Sequence, residues 1–94
     1  MAKRCGSPHE KLLYKQWVAA VRKRDKNKCQ MPGCTHKDWK MQTHHITRWS
    51  DNPWLRFVPD NGITLCSTCH KSIKDRETLY IGIFRSIVYK NKGL

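Results

Sequence analysis

The sequence predicts a small α+β fold: a helix, two short strands and two further helices gathered around a cysteine cluster. Three observations predict it. Apolar residues recur at helical spacing near both ends, at Leu13, Trp17 and Ala20/Val21 and again at Leu79, Ile83 and Ile87. Two β-prone stretches lie between them, residues 41–48 (MQTHHITR) and Ile63-Thr64-Leu65. Four cysteines fall in two tight pairs, Cys29-x4-Cys34 and Cys66-x2-Cys69. At 94 residues the chain is short enough for its core to need a metal or similar staple. No apolar run approaches the roughly 18 residues of a membrane span.

In chain order, residues 1–8 read as a flexible tail broken by Gly6, Ser7 and Pro8, and residues 9–94 as one domain. Cys5 in the tail is expected to be a free thiol without a role. The first helix is expected from His9 to about Lys26. Ser7 and Pro8 supply an N-cap and an N1 proline, Glu10 completes a capping box, and Lys11, Lys15, Arg22 and Arg24 fall on the solvent side. Residues 29–40 break regular structure at the Pro32-Gly33 turn. After the first strand comes the loop WSDNPWLRFVPDNG. Its Trp49, Trp54, Leu55, Phe57 and Val58, with Trp39, are expected to form a small core pinning the loop over the strands. Stacking on bases is the other use of a tryptophan in a basic protein. Beyond the second strand, Ser67 is expected to cap a helix running from about Thr68 through His70, Ile73 and Lys74. The last helix carries two apolar rows, Leu79/Ile83/Ile87 and Tyr80/Phe84/Val88, despite Gly82 and its β-branched residues.

Nineteen Lys and Arg against seven Asp and Glu give a net charge of +12. Nine basic and two acidic residues lie in 1–28, six and two in 71–94, and only four and three in between. Basic flanks of this kind suit a polyanion, because each neutralised phosphate releases condensed counterions. A membrane surface is not the expected partner, since no segment joins basic residues to a long apolar face. The N-terminal MAKRCGSPHEKLL lacks the apolar centre of a secretion signal. A reducing compartment is therefore expected, where paired cysteines read as metal ligands before disulfides. Two such knuckles can hold one tetrahedral ion, of which Zn²⁺ is the usual occupant.

His44-His45-Ile46 lies on the first strand, Asn61 opens the turn before the second, and His70 follows Cys69 directly. This order, HHI…DNGITLCSTCH between cysteine knuckles, resembles the HNH endonucleases, the ββα-metal nucleases, in their four-cysteine phage and bacterial form. The resemblance covers roughly residues 29–77, and its spacing is specific: Asn61 stands nine residues before His70, with a CxxC immediately preceding that histidine. It implies a ββα-metal (His-Me finger) core between an N-terminal and a C-terminal helix. It also implies a divalent-metal-dependent endonuclease that nicks or cuts double-stranded DNA as a monomer or homodimer, in the cytoplasm of a bacterium or phage-infected host. By the same resemblance His45 is the general base, and His44 and His70 bind the catalytic ion (Mg²⁺, Mn²⁺, Ni²⁺ or Zn²⁺). Asn61 would brace the loop between the strands. Where some members carry a further His or Asn ligand four residues after the helical histidine, this chain has Lys74, expected at phosphate; Glu77 is a further candidate for the metal.

The residues agree with that chemistry on their own terms. Phosphodiester hydrolysis needs a water deprotonated near pH 7 and a cation near the leaving oxygen, and imidazole titrates in that range. Strand neighbours point to opposite faces, which divides His44 and His45 into ligand and base. Helix neighbours differ by about 100°, so Cys69 and His70 can serve two separate metals. Arg48 and Arg56 are expected phosphate clamps, joined by Lys71 and Lys74, with Arg22, Lys23 and Arg24 giving non-specific grip. His9 and His36 match nothing and read as surface residues. The competing readings are a non-catalytic zinc-ribbon module that binds nucleic acid, and an RNase.

Overall fold

The computed structural model describes residues 8–35, 40–48 and 53–93. The expectations for the tail with Cys5 and Ser7, and for His36, Trp39 and Trp49, lie outside the described residues. Helix α1 spans Pro8–Arg24 and buries Trp17 and Val21, one turn apart on one face. It stops two residues earlier than its apolar spacing suggests. Lys26 and Asn27 adopt left-handed backbone, at φ 57° and 54°. Their N–H groups turn back to the carbonyls of Lys23 and Arg22, at 3.2 and 2.8 Å. That pair of bonds is the Schellman ending, which satisfies carbonyls the helix leaves open.

Strand β1 (Met41–His45) pairs antiparallel with β2 (Gly62–Cys66), in a register that sets His44 opposite Ile63 and His45 opposite Gly62. Alternation then sorts the faces. His44 and Ile63 face one way, and His45 and Gly62 face α1. Every residue of β2 is buried, because its outer edge is taken as well: Thr64 N–H donates to the Asp25 carboxylate and Gln30 N–H donates to the Thr64 carbonyl, both at 2.9 Å. Gly62 is where α1 crosses most closely. A Cβ there would lie 2.6 Å from Trp17 Cζ2 and 2.7 Å from Val21 Cγ2, nearer than two carbons can approach.

Helix α2 (Ser67–Ser72) follows β2 directly, completing the expected ββα unit. Its N-cap is Cys66 rather than Ser67: the sulfur accepts the Cys69 backbone N–H at 3.4 Å. The same geometry that gathers the cysteines therefore starts the helix. A 3₁₀ turn, Glu77–Tyr80, leads into α3 (Ile81–Asn91). The two apolar rows lie about 100° apart, so one turns further into the core, although Ile87 of the other also packs against it. Phe84 and Val88 are buried, while Leu79 and Ile83 are 73% and 45% exposed. Ile46, Ile63, Leu65, Ile73, Phe84 and Val88 form the core between the sheet and helices α2 and α3. Among the described residues no helix is long and apolar enough to cross a membrane.

Two further expectations are corrected. The loop between the strands gathers no core around Trp54, which is 73% exposed, or Val58, which lies at the surface, while Leu55 and Phe57 are half-buried. It is held by its backbone carbonyls, which need donors in irregular structure. Trp17 Nε1–H donates to the Val58 carbonyl and Arg24 Nη1 to that of Pro59, each at 2.8 Å. Arg22 and Arg24 consequently do not lie on the solvent side. Arg22 donates to the Met41 carbonyl. Arg24 grips the Asp25 carboxylate through two bonds of 2.9 Å and the Gly62 carbonyl at 2.6 Å. Length and flexibility let an arginine curl back from a nominally outward position.

Candidate active site and metal centre

The four sulfurs of Cys29, Cys34, Cys66 and Cys69 all lie within 4.8 Å of one another, with Cys34 and Cys66 at 4.0 Å. Zn–S bonds of about 2.3 Å imply tetrahedral edges of about 3.8 Å, so the cluster has the size of a metal cage. The first knuckle turns at Gly33, whose φ of 75° suits a residue without a Cβ; the second is the Cys66 cap of α2. Burial pushes the thiols of Cys69 and Cys29 up. At Cys66 burial works upward too, but the Cys69 N–H and the neighbouring thiols outweigh it and lower the group. Four such groups crowded together ionise most readily when a cation replaces their protons. Among the described residues no other trio of metal-binding side chains is gathered this closely.

On the α1 face, the His45 ring stacks on the Trp17 indole with centroids 4.0 Å apart and planes inclined by 12°. Its Nε2 lies 2.9 Å from the Arg56 carbonyl oxygen. A carbonyl only accepts, so Nε2 carries the hydrogen and Nδ1 keeps its lone pair. Burial lowers the His45 pKa, opposed by the hydrogen bond to Arg56 and assisted by the Arg56 charge; the ring is neutral near pH 7. The Arg56 guanidinium is tied to Glu10 at 3.1 Å and lies 4.8 Å over the Phe57 ring. That places the expected phosphate clamp as a strap between the loop and the first turn of α1.

Buried Asn61 fixes the loop to the segment just past β1. Its Oδ1 accepts from the Thr47 N–H at 2.9 Å, and its Nδ2 donates to the carbonyls of Thr47 at 3.0 Å and Leu55 at 3.4 Å. Leu55 adjoins Arg56, so the asparagine holds the stretch of loop whose carbonyl orients His45.

On the opposite face His44 is buried against α2 and α3. Its ring meets His70 edge-on at 5.2 Å and Phe84 at 5.7 Å. Burial, reinforced by His70, lowers its pKa to about 4. Its Nε2 is buried without any hydrogen-bond partner, which a protein rarely tolerates unless the atom serves another ligand. His70 is oriented by Gln42: Nδ1 donates to Oε1 at 2.5 Å, leaving Nε2 with its lone pair. Burial lowers His70, with Glu77 opposing. The Glu77 carboxyl is held below its ordinary value by backbone N–H groups, its own first, and further by the charges of His44 and Arg48. An orphaned imidazole nitrogen beside a second imidazole of fixed tautomer is a pair of donors that suits a divalent ion, and Glu77 is not gathered with them as closely as the cysteines are with one another.

The structure thus brings His44 and His70 together on one face of β1, and His45 and Asn61 at its other face and end. Lys23, Arg48, Lys71 and Lys74 are exposed. Three contributors escape sequence reasoning. Gln42 stands two residues before His44, so strand alternation does place it on the face of His44. Asp25 is a lone acid in a basic run. Trp17 reads as a helix core residue and gives no local sign of lying beneath His45.

No curated protein and no solved structure matches the chain. Among protein families, HNH endonuclease matches residues 29–76. That stretch runs from the first cysteine of the cage to just past α2 and contains every histidine, cysteine and asparagine placed above in the two centres. It is just over half of the molecule, and with the ββα unit and the cage it shows that the chain belongs to the HNH endonuclease family.

Proposed function

We propose that this chain is a divalent-metal-dependent DNA endonuclease with His45 as its general base. The observation that carries the reading is the His45 ring: one nitrogen is fixed as a donor to the Arg56 carbonyl, and the other is left neutral and able to accept a proton. A water beside Nδ1 gives up its proton as it attacks the phosphorus in line. The imidazolium so formed is stabilised by the Arg56 carbonyl on its far nitrogen and kept in plane by the Trp17 stack. His44 and His70, with Glu77 alongside, would hold the divalent ion, which when bound supplies charge stabilisation at the phosphate and the leaving oxygen. The cysteine cage takes a structural Zn²⁺ and ties the segment before β1 to the start of α2. Exposed Lys23, Arg48, Lys71 and Lys74 supply phosphate contacts, while Arg22, Arg24 and Arg56 spend their guanidiniums on internal bonds. Double-stranded DNA is the substrate. With one such site per chain, a monomer nicks and a homodimer can cut both strands.

The test is incubation of supercoiled plasmid with the protein and Mg²⁺ or Mn²⁺, repeated with His45→Ala. Relaxed or linear product from the wild type, and at least a hundredfold less from the variant, is expected. Intact plasmid across several metals would leave a zinc module that binds without cutting. Equal cutting by the variant would remove His45 from the role of base.

A further inference from the structure

On the outer edge of β2, separated by that strand from β1 and its two histidines, lies a polar concavity of about 340 Å³. The end of α1, the turn that follows it and the end of α3 border it. Gln30 and Asn91 line it, and Lys26, Lys28 and Lys90 stand around it. The charge balance decides what it can take. Asp25, the acid in this lining, is saturated: it accepts two bonds from Arg24, one from the Thr64 N–H and one from Asn91 Nδ2 at 3.0 Å. Arg24 and Asp25 therefore cancel. The three lysines are exposed, and none has a carboxylate partner among the described residues.

A second observation bears on Lys26. It occupies the left-handed position of the Schellman ending of α1, at φ 57°, where glycine or asparagine is favoured and a lysine side chain is disfavoured. Its N–H bond to Lys23 would be made equally by glycine. The lysine contributes only an ammonium at the rim of the concavity. Helix C-termini do favour one nearby cation each, but here three border one recess whose acid is already satisfied.

We infer that this concavity is a second phosphate-binding site, which holds the sugar–phosphate backbone of DNA outside the scissile step. The inference rests on the endonuclease reading for the identity of the polyanion. Three ammoniums on flexible stems attract successive phosphates as point charges, without the planar fork that reads a base edge. The contact is therefore independent of sequence. It also gives the chain an anchor on the far edge of the sheet from its catalytic histidines.

The test uses the full chain carrying His45→Ala, without divalent metal, and a fluorescent duplex of about 20 base pairs. Affinity is measured against salt for that protein and for the same protein with Lys26→Gln, Lys28→Gln and Lys90→Gln. Each lost phosphate contact lowers the slope of log K on log salt by about 0.9, so a fall of about 3 is expected. In amide-resolved NMR, residues 26–30 and 90–91 should shift on addition of the duplex. An unchanged slope, with those amides silent while others move, would overturn the site. Plasmid cutting by the wild-type chain separates the two readings. Shifts at 26–30 in a protein that never cuts would sink the nuclease and keep the site, and cutting with those amides silent would do the reverse.

Discussion

Adding one methyl group at Gly62 tests the link between α1 and His45, the proposed general base. The backbone there, φ −131° and ψ 150°, is open to alanine, and relief of glycine's unfolded-state entropy alone would stabilise by about 0.4–1 kcal/mol. Any loss therefore reports on contacts. The new Cβ would stand 2.6 Å from Trp17 Cζ2, 2.7 Å from Val21 Cγ2 and 3.0 Å from Trp17 Cε2. Carbons rest at about 3.5–4.0 Å, so the indole must retreat by about 1 Å. It is not free to do so, being fixed to the Val58 carbonyl at 2.8 Å on one side and stacked on His45 on the other. Overpacking of this kind costs about 1–3 kcal/mol, which for a chain of this size lowers Tm by roughly 4–8 °C per kcal/mol. Because the displaced ring supports the base, cutting should fall by more than stability does. A shift of about 1 Å at a catalytic group is worth up to about a hundredfold in rate. Gly62→Ala is to be compared with wild type by thermal denaturation and by plasmid nicking well below both midpoints, with bound metal in the cysteine cage as the control. A folded, metal-loaded variant that nicks ten- to a hundredfold more slowly is expected. If alanine is accepted with unchanged Tm and rate, α1 does not pack on β2 in this way and the indole does not support His45.

Other predictions follow from the two centres. Chelation, or Cys66→Ser, should release one tightly held metal and unfold the chain together with it; a cooperative transition unchanged by metal loss, followed by calorimetry, would separate the cage from the fold. Gln42→Ala frees the His70 ring and should weaken the divalent ion proposed for His44 and His70 by about 10–100-fold, read by Mn²⁺ titration, while the cysteine-bound metal stays; equal affinity would mean that Gln42 does not orient a ligand. In metal-free protein His44 titrates near pH 4, against about 6.5 when unfolded. The unfolded chain therefore takes up the proton first, and stability present above pH 6.5 is lost as pH falls towards 4, by on the order of 2–3 kcal/mol. Denaturant midpoints at pH 7, 5.5 and 4 measure this, and a flat profile would contradict the burial of His44. The lowered pKa of His45 likewise keeps cutting constant above neutrality, with the rate declining only in acid below its ordinary value near 6.5.

What could be read from the sequence was local. Two cysteine pairs, a histidine doublet on a strand and a histidine beside a CxxC have meaning at fixed short spacings, and alternation alone separates His44 from His45. What could not be read depends on distant partners. Ile83 and Phe84 are equally apolar, and only the position of the sheet chooses Phe84 for the core. Arg24 sits at a solvent-side period, yet a buried Asp25 and the carbonyls of Pro59 and Gly62 draw it inward. Trp54 looks like core material and is exposed, since the loop is held through its carbonyls instead. The stack of Trp17 on His45 joins residues 28 positions apart, and neither bears any mark of the other.

The Trp17 stack has a consequence for portability. The matched stretch, residues 29–76, contains the motif but not the indole, the Glu10 anchor of Arg56 or the Arg24 ties to the loop. A segment cut at those bounds and transplanted to another protein would carry His44, His45 and His70 with no floor beneath the His45 ring. The unit that carries these contacts begins at α1, and any chimaera, swap or minimal version has to bring that helix along with the motif.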